Sequence, residues 1–139
     1  MNPIELLRTI YLGDRGCKGI LIDSWNQSVS LHATVVSRIR SQTGQWEYYT
    51  DEDIVDGRLI FTGVRTFAMF PAGPIPNDFI NDVSAAEQRD AASGEIRYAF
   101  RLSISSIDTV GAWTEVIVEI NADGMHLEDP ARPGLAITT

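Results

Sequence analysis

The chain has 139 residues, 44% hydrophobic and 22% charged, with 19 acidic against 11 basic side chains and a formal net charge of −8. That length fits one domain over residues 1–139 with a core that needs no staple. The lone cysteine, Cys17, excludes an internal disulfide or a multi-thiolate zinc site. The acidic balance repels phosphate backbones, so a nucleic-acid partner is not expected, whereas a basic protein would be attracted at long range.

The first residues read as a helix: Asn2 as N-cap, Pro3 in the first turn and Glu5 where a capping box wants it. Ile4, Leu7, Ile10 and Tyr11 recur at helical spacing, and Gly13 supplies a left-handed stop. Neither a basic leader nor an apolar span is visible, so the expected setting is cytoplasmic and away from membranes.

After Gly19 the pattern becomes strand-like. Ile20–Ile22 form a short apolar run, and Asn26-Gln27 mark a tight connection. Val29, Leu31, Ala33, Val35 and Ile39 alternate with polar residues as one long strand, closed by a turn over Ser41–Gly44. Arg58–Phe70 reads as another long strand, Leu59 and Phe61 inward, with Gly63 marking a bulge or a close backbone approach. Pro71–Pro76 is a rigid extended loop, because each proline fixes φ and removes a donor. Residues 77–89 allow a helix capped by Asn77 or an edge strand; the low helix propensity of Asn81, Asp82, Val83 and Ser84 favours the strand.

Ile96–Ile104 and Glu115–Ile120 alternate strictly and are expected to form an antiparallel hairpin across Ser105–Ala112. Charge matching sets Arg101 opposite Glu115 and Arg97 opposite Glu119, with Phe100 on Val116, Tyr98 on Val118 and Ile96 on Ile120. Asp123-Gly124 turns the chain into Met125–Glu128, and 129–139 is expected as a loose extension. The expected fold is mainly β (α+β): an antiparallel sandwich or curled sheet with an N-terminal helix.

Few chemistries survive inspection. His32 and His126 lack the paired spacing of a zinc motif, and no Gly-rich phosphate loop or Gly-x-Ser-x-Gly elbow is present. Cys17, between Arg15 and Lys18, reads either as a thiol with a lowered pKa or as a small buried core residue at a strand entrance. The acidic run Trp46–Gly57 suggests a calcium loop, but Val55 and Asp56 occupy the positions that need a ligand and a glycine, and Thr62 the one that needs glutamate. Its local reading is a turn capped by Thr50, with Asp53 three residues on and Asp56-Gly57 leading into the next strand. Its functional reading is a protein-binding surface of Trp46, Tyr49, Asp51, Glu52, Asp53 and Asp56 facing a basic partner. Trp25 and Trp113, also expected near turns, fit such a role, and no cofactor or metal is called for.

Several pieces carry a resemblance: Tyr11-Leu12-Gly13-Asp14-Arg15, Tyr49-Thr50-Asp51-Glu52-Asp53, Leu59-x-Phe61-x-Gly63-Val64, Pro71-x-Gly73-x-Ile75-Pro76-Asn77-Asp78 and Glu119-Ile120-x-Ala122-x-Gly124-x-x-Leu127-Glu128. The chain resembles a family of small bacterial proteins of unknown function, and its Phe-x-Gly-Val rhythm is similar to immunity proteins of polymorphic-toxin systems. The first likeness implies a stand-alone cytoplasmic β-domain, and the second a basic, toxin-like partner; neither brings catalytic residues. The competing expectation is a small-molecule or enzymatic β-domain with an apolar cleft between sheets, centred on His32 or His126 with a nearby acid. A third is a structural subunit, monomeric or dimeric through a free sheet edge.

Overall fold

The computed structural model describes residues 1–39 and 52–139. Among these residues twelve strands follow one short helix: α1 (Pro3–Leu7), β1 (Ile10–Tyr11), β2 (Arg15–Asp23), β3 (Ser28–Ala33), β4 (Val35–Arg38), β5 (Ile54–Val55), β6 (Arg58–Thr62), β7 (Thr66–Phe70), β8 (Phe79–Arg89), β9 (Ile96–Ile107), β10 (Trp113–Ala122), β11 (Gly124–Glu128) and β12 (Ala136–Ile137). The fold is mainly β and antiparallel. Nine strands run in the order β12-β11-β6-β3-β2-β8-β9-β10-β7, and β1-β4-β5 form a separate three-stranded sheet.

The capping box forms as expected: Glu5 N donates to Asn2 Oδ1 at 2.9 Å, and Asn2 N donates to Glu5 Oε2 at 3.0 Å. The helix nevertheless stops after five residues. Thr9 turns its hydroxyl onto the Leu6 carbonyl at 2.7 Å, and Ile10–Tyr11 pair with Ser37–Arg38 as a strand. Buried Ile10 and Leu12 therefore belong to a period of two, and Asp14 (φ 58), not Gly13, takes the left-handed conformation.

Strand β2 holds the architecture together because it changes partners. Arg15 and Gly16 pair with Ile80 and Phe79 of β8, whereas Cys17–Asp23 pair with Ala33–Ser28 of β3, with a register shift between Cys17 and Gly19. Such a bulge bends the strand and increases its twist. The two wings of the nine-stranded sheet meet where Phe61 of β6 sets its ring edge to Phe100 of β9, centroids 4.8 Å apart. Leu31, Leu59, Leu102, Ile104, Val118, Ile120 and Leu127 fill the same interior. Cys17 is one of these core residues; burial pushes its thiol pKa up, so it is a packed apolar group rather than a nucleophile.

The long strand expected over residues 28–39 is two strands. Alternation holds through Ala33 and breaks at exposed Thr34, after which Val36, Ser37 and Arg38 are all buried in the smaller sheet. Likewise Arg58–Phe70 is divided at Gly63. Its φ of +60 suits glycine, and a Cβ there would lie 2.8 Å from Asp123 Cβ. Strand β6 sits inside one wing and β7 ends the other. Residues 79–89 form a strand, as propensity favoured, but it is 11 residues long and lies between β2 and β9 instead of at an edge.

The β9–β10 register differs from the charge-matched expectation. Arg101 faces Glu119, Phe100 faces Ile120, Val116 faces Ile104 and Tyr98 faces Ala122. The turn decides this. Asp108 Oδ1 accepts from Val110 N at 3.0 Å and from Ala112 N at 2.8 Å, and Gly111 takes φ +81. The connection thereby contracts to 108–112, and Ser105–Ile107, expected in the loop, join the strand. Glu115 takes its hydrogen bond from the Ser103 hydroxyl at 2.8 Å instead of pairing with Arg101. The buried face is unchanged because the displacement is even.

Beyond Glu128 the chain is largely exposed, yet Ala136–Ile137 pair with Glu128–Leu127, and buried Arg38 donates to the Thr139 carbonyl at 2.9 Å.

Phe100→Ala should cost about 3–5 kcal/mol in a denaturant titration, because it removes the ring on which the two wings close. A loss below about 1 kcal/mol would show that the Phe61–Phe100 contact does not hold them together.

Candidate functional site: the prolyl-loop end of the sheet

The acidic run is divided by the structure. Trp46, Tyr49 and Asp51, like Thr50 and the Ser41–Gly44 turn, lie outside the described residues. Glu52 is exposed in a turn. Asp53 is half-buried and accepts the Arg38 backbone N–H at 2.9 Å. Asp56 adopts φ 54 and pairs with Lys18 across the β2 bulge. Gly57 after it must stay small, since a Cβ would sit 2.6 Å from Val36 Cγ2. Two of these carboxylates thus hold backbone and a lysine in place.

The histidines come to one face. His32 lies beside Arg58, and His126 beside Ile60, on the two strands flanking β6. Two strand spacings, about 10 Å, and an offset of two residues along β6 separate their backbones. Among the described residues no group of three His, Cys, Asp or Glu side chains could hold a metal. Arg58 bonds Glu128 at 3.4 Å between them, and Ser30 Oγ lies 3.1 Å from His32 Nε2. Burial lowers the pKa of both rings; Arg58 lowers that of His32 further, while Glu128 opposes the shift in each.

The most built surface lies elsewhere, at the end of the sheet where β7 leaves for the prolyl loop and β9 turns into β10. A cleft of about 510 Å³ opens between Gly73-Pro74-Ile75 and the 108–112 turn, with Ser106 and Thr114 also lining it. Both walls are held rigidly. Asn77 acts as a strand substitute: its Nδ2 donates to the Ile107 carbonyl at 2.9 Å, and its Oδ1 accepts the Ile107 N–H at 2.8 Å. The backbone amides of Asn77 and Asp78 both reach the Ser105 carbonyl, at 3.2 and 3.0 Å. Asp108 locks the facing turn through the two bonds described above.

Around this rigid frame large apolar side chains are left in solvent: Val110 is 86% exposed, Ile75 71%, Trp113 59% and Phe70 53%, with Phe79 and Ile107 beside them. Trp25, at the opposite end on the β2–β3 turn, stands alone at 94%. A second, smaller hollow of about 210 Å³ lies behind the prolyl loop, between Ile20 and Ile22 of β2 and Phe67 and Met69 of β7. Its lining is mainly apolar, and the two polar side chains in it are engaged, Lys18 with Asp56 and Asn77 with Ile107.

Sequence reasoning marked the prolyl run and the β9–β10 connection separately but did not join them. The signal was Asn77, read as a helix cap, whose side chain clamps a residue thirty positions away. No described helix is long and apolar enough to cross a membrane.

Over residues 1–139 the chain matches the family of unknown function DUF6258, and it belongs to that family. No curated protein and no solved structure matches it.

The histidine face sets a pH dependence. A ring whose folded pKa lies below its ordinary value of 6.5 contributes stability above that value, and this is lost as pH falls through the folded pKa. Unfolding free energy should therefore decline below about pH 6.5, and less steeply in His32→Gln and His126→Gln than in the wild type. Parallel profiles for all three proteins would contradict this assignment.

Proposed function

We propose that this chain is a non-enzymatic protein-binding domain, a curled β-sheet that presents its prolyl-loop end to a partner. The observation that carries the reading is the exposure of Ile75 and Val110 on two loops that hydrogen bonds and prolines hold in one conformation, with Trp113 and Phe70 exposed at the adjoining ends of β10 and β7. Apolar patches of this kind on a soluble surface mark interaction sites, and rigid loops lose little entropy when they are covered. The net charge of −8 suits a basic partner, as in an immunity-type pairing with a basic toxin in a bacterial cytoplasm. Glu52, with Trp46, Tyr49 and Asp51, stands as a second contact area, while Asp53 and Asp56 serve first to hold their own backbone and Lys18.

The hollow between β2 and β7 favours a second reading, binding of a small apolar ligand. A molecule retained in native mass spectrometry and lost in Met69→Trp would establish it.

The first reading is tested by photo-crosslinking from position 110 in the native cell, followed by titration of the purified partner. Ile75→Ser with Val110→Ser should weaken that complex tenfold or more, whereas Glu52→Gln changes it by no more than a few-fold. A partner whose affinity ignores the apolar pair, or no crosslinked partner at all, would contradict the reading.

A further inference from the structure

The cleft's chemistry specifies what enters it. Among the described residues, Asp108 is the one ionisable residue that lines it. Its Oδ1 is occupied by the Val110 and Ala112 amides, so the negative charge is fixed in position while Oδ2 makes no hydrogen bond within the described residues. The opposite wall is Gly73-Pro74-Ile75, in which Pro74 has no N–H to donate. Ser106, Thr109 and Thr114 add uncharged hydroxyls able to accept or donate. The site is anionic at one point and apolar at its rim.

The surrounding sequence reinforces that sign. No lysine or arginine occurs between Arg65 and Arg89, or between Arg101 and Arg132, although Asp78, Asp82, Glu87, Glu115 and Glu119 fall in those stretches. Among the described residues that line the cleft, the only formal charge is therefore negative. The nearest basic residues of β2 are engaged elsewhere, Lys18 with Asp56 and Arg15 with the Ser37 hydroxyl at 2.7 Å.

We infer that the cleft takes an extended segment of the partner protein in which a lysine or arginine is flanked by apolar side chains. The cation lies against Asp108, and its apolar neighbours cover Ile75 and Val110. A volume of about 510 Å³ holds a few side chains rather than a folded element. An all-donor cation suits the fixed Asp108 carboxylate, whereas a carboxylate or phosphate would face that anion with no cation lining the cleft among the described residues. This inference rests on the protein-binding reading and adds the chemistry of the bound segment.

The test is selection of linear peptides from a random display library on the full chain, then titration of the selected peptides against the wild type, Asp108→Asn and Ile75→Ser. Asparagine keeps the Oδ1 acceptor that both turn amides need, so D108N removes the charge and leaves the turn; unchanged denaturation midpoints verify the fold of each variant. Selected peptides should carry a lysine or arginine between apolar residues, bind at least fivefold more weakly to D108N and tenfold more weakly to I75S, and lose affinity as salt rises. Peptides without a basic residue, or indifferent to D108N, would overturn the inference; if I75S still abolishes their binding, the protein-binding reading survives it. Peptides indifferent to both variants, or none selected, overturn the cleft assignment. A dimer in sedimentation that I75S disperses would show a second copy as the occupant and overturn it as well.

Discussion

The structure depends on a strand that serves two neighbours. β2 pairs with β8 through Arg15 and Gly16, then passes to β3 from Cys17 onward, and the irregularity between Cys17 and Gly19 makes the exchange possible. Without it the nine strands would form one open sheet with too little opposing surface to bury both rows of apolar side chains. With it, Phe61 meets Phe100, and the alternating residues of β3, β6 and β11 face those of β9 and β10. The burial of Cys17 follows from its position at the bend, and so does the salt bridge of Lys18 with Asp56.

The same bend leaves the interior incompletely covered. Strand β7 ends the sheet order, and residues 19–23 of β2 pair, among the described residues, only with β3. The prolyl loop crosses this end of the molecule and is held there by the Asn77 side chain together with backbone bonds, from Asn77 and Asp78 to the Ser105 carbonyl and from Cys17 to the Asp78 carbonyl at 2.8 Å. A loop fastened by a side chain imitating backbone keeps its shape while leaving Ile75 in water. The exposed apolar end is thus a consequence of how the sheet closes, and its rigidity makes it a surface able to bind at low entropic cost.

Local chemistry in the sequence specified much of this fold. Alternation identified the buried faces of β3, β6, β9 and β10, and the Asn2–Glu5 capping box identified the start of α1. What it did not specify was decided by tertiary partners. Ile10 fits a helical stripe as well as a strand until Ser37 and Arg38 are known to lie alongside. The charge match Arg101–Glu115 was outweighed by the Asp108 turn, because two amide bonds and a left-handed glycine constrain a hairpin more tightly than exposed ion pairs do. The candidate site was least readable for the same reason. Its walls are more than thirty residues apart, and nothing in either stretch records that Asn77 reaches Ile107.

Whether the prolyl-loop end is preformed is read from native-state hydrogen exchange of the Asp78, Ile107 and Ala112 amides, since these groups donate to the Ser105 carbonyl, Asn77 Oδ1 and Asp108 Oδ1. A preformed surface requires protection in the free protein at all three, with Ile107 protection lost in Asn77→Ala while the β9–β10 ladder stays protected. Exchange at the rate of an unstructured loop in the wild type would contradict it.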